Sequence, residues 1–416
     1  MGEIIVYLDS YEYSGDGYYE VIYLDFRTIM DYIQFVEEFK VEDTPGLFLE
    51  IRGYQSPKRL FPDSYYALNI EMLRDVRPVR NQESLLIGYT YDFRDYGGRN
   101  DENFQLLMIH EQLDPIVLSS PHHHTIPSLN LEVPAGKIEL RVNNVGQANW
   151  NEILQDGKVK MVYDIGAPAN ASKGMVRQYI NQFAETYQQD RPDLVLSHWD
   201  KDHYHCLLEM TDEELGCFSR FICVDMIRSE TPYELFGRLE DVLGEDRIFC
   251  YPLDTRTPKT PYPKMHEKFS NGVLSLFEGE KSRSRNYSGF VLFAQGSESH
   301  ALLTGDCLIC QAEEVIQHLH SQERLINSYR SKNDHYLVVP HHGGGINPKF
   351  MSYHIPAGIN AAEAFISVDE NNALSKIYKH PSEEMIAFLE RFFKRDKIVR
   401  TDEEGKKGKN KIEKEL

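Results

Sequence analysis

The 416 residues are 41% hydrophobic and 26% charged, a balance that supports a buried core and excludes a chain disordered along its length. With a formal net charge of −20 the chain lacks the global basic excess usual in proteins that grip long duplex DNA, so any nucleic-acid substrate would meet a local basic patch, and a small anion, a short end or a metal-held phosphate is equally compatible. No run of about 18 apolar residues predicts a membrane span, Met1–Val6 lacks the features of an export signal, and the six cysteines follow no small-scaffold disulfide spacing, so a cytoplasmic protein with reduced thiols is expected.

Residues 1–118 read as an α+β module. Glu3–Leu8 and Tyr19–Leu24, rich in Val, Ile and Tyr, predict strands. Ile29, Ile33, Phe35, Val36 and Phe39 recur at helical spacing and predict a helix over Phe26–Phe39. Further strands are expected over 47–51, 84–91 and 104–109. The module carries no chemical motif, and a protein partner is its expected role. Residues 119–134 have loop composition. Their His122, His123 and His124 read as solvated linker, because no further ligand group lies nearby in sequence.

Residues 135–405 have the alternating rhythm of a layered α/β body. Strands are predicted over 137–142, 159–163, 194–196, 289–294 and 300–303, with a helix over 173–188. Cys307 and Cys310 read as packing residues, since no second such pair exists. Residues 406–416 read as a charged, flexible tail.

The chemistry is concentrated where apolar strands stop. Leu194–Leu196 runs into Ser197 and then His198-Trp199-Asp200-Lys201-Asp202-His203, four metal-capable side chains within six residues. Ala301–Leu303 ends at Thr304-Gly305-Asp306. Leu337–Val339 ends at Pro340-His341-His342-Gly343-Gly344, and Ala364–Val368 is followed downstream by Lys379-His380-Pro381. The C-terminal edge of strands is where α/β folds assemble their sites. Imidazole and carboxylate donors suit Zn or Mn, as one or two ions.

These residues resemble the metallo-β-lactamase superfamily signature His-x-His-x-Asp-His, with Asp200 in place of the second histidine. Together with Val145-Gly146-Gln147, Asn286-Tyr287-Ser288, Thr304-Gly305-Asp306, Pro340-His341-His342-Gly343, His380-Pro381 and Val399-Arg400-Thr401-Asp402, they are similar to the C-terminal hydrolase domain of ComEC-type competence proteins over about residues 135–405. The resemblance implies an αββα sandwich of two mixed sheets. It puts His198 and Asp200 at a first metal position, Asp202, His203 and His342 at a second, and Asp306 between them. His341 would face the substrate, with exchange of roles between the two neighbouring histidines left open. His380 would support the ligands or contact a phosphate. Asn286 stands where the superfamily has a histidine, which thins the first position. Asn144 and Ala148 stand where the competence domains tend to have Asp and Gly.

The expected activity is metal-dependent hydrolysis, with Asp202 or Asp306 orienting the attacking water and His341 or His380 protonating the leaving group. Lys281, Arg283, Arg285 and Lys379, basic residues in an acidic chain, point to a phosphodiester, as in nucleic-acid ends or nucleotides. Asn286, Ser288, Arg285 and Lys379 are therefore the expected substrate contacts. Hydrolysis of a lactone or other ester on the same centre is the alternative. So is a sensor or complex component with weakened catalysis, such as a bacterial defence system would use.

Overall fold

The computed structural model describes residues 3–15, 17–42, 48–56, 58–69, 78–81, 87–93, 106–109, 136–252, 262–282, 284–325, 334–344, 348–369 and 380–416. The linker histidines His122–His124, the basic residues Arg283 and Lys379, and Gly345 lie outside them. The chain divides into two compact units. One comprises Met1–Ser119 with Ala169–Met175 and Met226–Arg238; the other comprises Ser120–Pro168, Val176–Asp225 and Leu239–Leu416. The first unit thus takes in two short stretches from beyond residue 118, which a single boundary along the chain does not capture.

The first unit is built on a seven-stranded sheet. Its strands are β1 (Glu3–Gly15), β2 (Tyr18–Phe26), β3 (Phe48–Gln55), β4 (Ser64–Asn69), β5 (Val79–Arg80), β6 (Ile87–Asp92) and β7 (Leu107–Met108), in the order β5-β6-β3-β2-β1-β4-β7. The helix runs over Ile29–Phe39 and starts three residues later than the apolar spacing predicts. Thr28 sets that start: its hydroxyl accepts from the Asp31 amide, and the Asp31 carboxylate accepts from the Thr28 amide. The helix seats Phe35 among Phe26, Phe39 and Tyr89, with ring centroids 5.3, 5.0 and 5.8 Å away.

The second unit contains β8 (Ile138–Asn143), β9 (Asn151–Gln155), β10 (Lys158–Tyr163), β11 (Asp193–Val195), β12 (Arg220–Asp225), β13 (Ile248–Pro252), β14 (Met265–Ser270), β15 (Leu274–Gly279), β16 (Phe290–Gln295), β17 (Ser299–Leu303), β18 (Asp334–Val338), β19 (Asn360–Ile366), β20 (Ile398–Arg400) and β21 (Lys411–Glu415). They form two seven-stranded mixed sheets, β13-β12-β11-β10-β9-β8-β21 and β14-β15-β16-β17-β18-β19-β20. Each sheet changes once from antiparallel to parallel pairing, at β10 in one and at β17 in the other. Strands β16 and β17 are buried along their whole length, which is why they read as unbroken apolar runs. Their alternate residues Val291, Phe293 and Leu302 pack with Ala312, Val315, Ile316 and Leu319 of the helix Ile309–Ser321. The two sheets touch through Tyr163, whose hydroxyl donates to the Phe290 carbonyl at 2.7 Å.

The predicted helix over 173–188 is two pieces, Lys173–Phe183 and Tyr187–Asp190. The expected flexible tail is corrected. Lys411–Glu415 pairs antiparallel with β8, Ile412 and Leu416 are buried, and the Leu416 amide donates to the Ile138 carbonyl at 2.9 Å. Its charges belong to an edge strand: Lys411, Glu413 and Glu415 face solvent while Ile412 and Leu416 turn inward.

Candidate metal centre

The candidate ligands come together at the C-terminal ends of parallel strands from both sheets. Asp164 follows β10, and His198 follows β11 after Ser197. Asp306 follows β17, His341 and His342 follow β18, and Ser367 follows β19. The helix Lys201–Glu209 opens directly after Asp200, which places Asp202 and His203 in its first turn. Tight backbone turns aim these side chains: Asp164, His341 and His342 have φ of 63°, 51° and 52°, a region that non-glycine residues seldom occupy.

Two groups of ligand atoms lie within 4.8 Å of one another, His198 with His203 and Asp306, and Asp202 with His203 and His342. His203 Nε2 is 3.2 Å from Asp306 Oδ1, and His198 Nε2 is 3.9 Å from Asp306 Oδ2. His342 Nε2 is 3.0 Å from Asp202 Oδ2. His198, His203, Asp306 and His342 are all buried.

The opposite face of each imidazole is held by a hydrogen bond. His203 Nδ1 donates to Asp164 Oδ2 at 2.8 Å, and His342 Nδ1 donates to the Ser367 carbonyl at 2.9 Å. Ser197 donates its hydroxyl to Asp164 at 2.9 Å and lies 2.9 Å from His198 Nδ1. These partners assign the tautomers and turn the Nε2 lone pairs inward. Nε2 of His203 then faces a carboxylate oxygen of Asp306, and Nε2 of His342 faces one of Asp202. Two lone pairs at such distances repel unless a proton or a metal ion lies between them. His198 Nε2 is buried with no hydrogen-bond partner. The donor set therefore fits a cation.

The electrostatics agree with that need for positive charge. Burial opposes a charge on His203, but Asp306 and Asp164 outweigh it and hold the imidazole well above its usual pKa. Burial likewise opposes charge on Asp306 and Asp202, yet the surrounding histidines keep both carboxyls below the usual range. His341, whose Nδ1 lies 2.6 Å from Asp306 Oδ2, is raised to about 9 by that carboxylate against the effect of desolvation. His380 is pushed down to about 3 by burial and by repulsion from His341 and His342. Its Nδ1 lies 3.1 Å from the Gln147 amide nitrogen, which donates to it.

Two of the expected substrate contacts, Arg285 and Ser288, are engaged by other parts of the chain. Arg285 is buried and forms an ion pair with Asp200, while its Nη1 donates to the Trp199 carbonyl at 3.1 Å. Ser288 is buried in its own turn, accepting from the Ser282 amide at 2.8 Å and donating to the Glu280 carbonyl at 3.0 Å, so it faces no substrate. Asn286 is half-buried in the same short turn, Arg285–Ser288. Asp200, expected as a metal ligand, belongs to neither donor group. Asp164, Ser197 and Ser367 carried no role in the sequence reading. Asp164 ends an apolar strand just as Asp306 does, and that signal was available for it. Cys307 and Cys310 are buried, as their packing reading requires.

No protein-family profile matches the chain, and no curated protein matches it at a significant level. Among the described residues, no helix is long and apolar enough to cross a membrane.

Proposed function

We propose that the second unit is an αββα sandwich of the metallo-β-lactamase type, acting as a metal-dependent hydrolase. The observation that carries this reading is the pair of close approaches between buried imidazoles and carboxylates, His203 Nε2 to Asp306 Oδ1 at 3.2 Å and His342 Nε2 to Asp202 Oδ2 at 3.0 Å, with the Nδ1 of each ring already engaged by Asp164 or Ser367. Asp202, His203, His342 and Asp306 would hold the ion, Zn or Mn, with His198 beside them. A bound ion of this kind supplies Lewis acidity and makes water a nucleophile near neutral pH. The chain's own residues do the rest. Asp164 and Ser367 fix the tautomers of His203 and His342. Asp202 orients the attacking water and accepts its proton. His341, 43% exposed where His198 and His342 are 2%, is the imidazole best placed to meet a leaving group.

A phosphodiester is the first substrate class to test, on the strength of the basic residues Lys281, Arg283 and Arg285 that precede Asn286 in the sequence. Hydrolysis of a lactone or other ester is the second reading, favoured by the engagement of Arg285 with Asp200, which diverts one of the cations expected for a phosphate. The experiment compares hydrolysis of bis-p-nitrophenyl phosphate and of a lactone panel by protein loaded with Zn or Mn. His203→Ala and Asp202→Ala are expected to lose about 10²-fold or more of the activity. Equal rates in wild type and both variants would end the hydrolase reading.

A further inference from the structure

The two donor groups share His203, and that imidazole has one nitrogen to give. Its Nδ1 is engaged by Asp164 at 2.8 Å and lies 3.1 Å from the Ser197 hydroxyl, which leaves Nε2 alone for an ion. A single nitrogen lone pair coordinates a single ion. If His203 joins Asp202 and His342, the other position keeps only His198 and Asp306 from its group, with Asp200 a further carboxylate close to His198 Nε2. Asp200 Oδ2 does lie 3.4 Å from His198 Nε2, so its place in the chain suits a ligand. Its other oxygen, however, is paired with the Arg285 guanidinium.

That pairing is built into the fold. The Arg285 side chain is 5% exposed, and it is anchored to the carbonyl of Trp199, the residue preceding Asp200. A guanidinium keeps its charge at any pH a protein tolerates, so it compensates Asp200 permanently. A carboxylate already matched by a fixed cation has little to offer a second ion, which would also be repelled by the guanidinium.

We infer that Arg285 takes the place of a second metal ion, and that the centre loads one ion per chain. This rests on the reading of the site as a metal centre. In the resulting arrangement one positive charge can be removed and the other cannot: a chelator strips the ion, while the charge beside Asp200 stays.

The test is metal stoichiometry rather than turnover. Full-length protein is stripped with chelator, reloaded with excess Zn or Mn, freed of unbound ion by gel filtration and analysed for metal, with calorimetric titration for affinity. Wild type and Arg285→Lys are expected to carry one ion, and Arg285→Gln, which frees Asp200, about two. The double variant Asp200→Asn/Arg285→Gln, which removes both members of the pair together, is expected to keep one ion with its affinity unchanged within about threefold, because Asp200 is not a ligand. That variant decides the matter even where Arg285→Gln fails to fold: a loss of about 10–100-fold, as deletion of a ligand or its support causes, overturns the inference. Two ions in wild type also overturn it and leave the metal reading intact. No bound ion in wild type removes the metal reading and this inference together.

Discussion

Asp164 Oδ2 lies 2.8 Å from Nδ1 of His203, on the side of the ring opposite Asp306. The same carboxylate accepts the Ser197 amide at 2.7 Å through its other oxygen, so its orientation is fixed. In Asp164→Asn the amide oxygen keeps the Ser197 contact and the NH2 group turns toward His203. The imidazole must then accept at Nδ1 and carry its proton on Nε2, where the ion would bind. Asparagine also tolerates the φ of 63°. Metal affinity is expected to fall about 10–100-fold, measured by competition with a chromophoric chelator. An affinity equal to that of the wild type would show that Asp164 does not set the tautomer.

Gly166 has no room for a side chain. A Cβ there would sit 1.7 Å from the carbonyl oxygen of Asp202 and 2.9 Å from that of Asn149, both rigid backbone. Gly166→Ala is therefore expected to displace the start of the helix Lys201–Glu209 and to cost about 3 kcal/mol or more. Gly237→Ala, in the helix Glu230–Leu243 with open space around it, is expected to be neutral or to stabilise by about 0.5–1 kcal/mol. Thermal unfolding of the pair checks both, and similar melting temperatures would contradict the close approach at Gly166.

Asp25 in the first unit is fully buried, and burial raises its pKa to about 7, against hydrogen bonds from Ser229 and Thr231 that lower it. The folded state therefore holds this proton more tightly than the unfolded chain does. Its contribution is fully present below about pH 4, declines as pH rises, and is lost by about pH 7. Three pKa units correspond to roughly 4 kcal/mol. Asp25→Asn should flatten the stability profile between those limits, read as the midpoint of urea unfolding at a series of pH values. An unchanged slope in the variant would place the titration elsewhere.

Truncation after Asn410 removes β21. The edge of β8 loses its partner, and the sites of Ile412 and Leu416 are opened to water. A loss of about 2–4 kcal/mol is expected, together with concentration-dependent association through the bare edge. Melting temperature and size-exclusion profile test it; a truncated protein as stable and as monodisperse as the parent would mean that β21 contributes nothing to the sheet.

The site was legible in the sequence wherever an apolar run halts at Asp or His, because a buried parallel strand delivers its next residues to one edge of the sheet. That signal marks His198, Asp306, His341 and His342. The pairing of Arg285 with Asp200 was not legible. The partners lie far apart in sequence, and a basic residue near acidic ligands reads equally well as a substrate contact. The strands β9, β14 and β15 carry no clean alternation: β9 and β15 are buried throughout, and β14 is mostly half-buried. The last strand was hidden by its composition, since its pairing with β8 is a contact between distant parts of the chain and no local propensity announces it.

The two sheets each bring part of the ligand set, His198, Asp202 and His203 from one side and Asp306 and His342 from the other. An ion held between them would act as a rivet across the seam. A chain cut between Pro252 and Tyr262 would separate these contributions while leaving β21 to be returned to the other piece. Such fragments would rejoin more tightly when metal is supplied, so that their reassembly would report on metal availability.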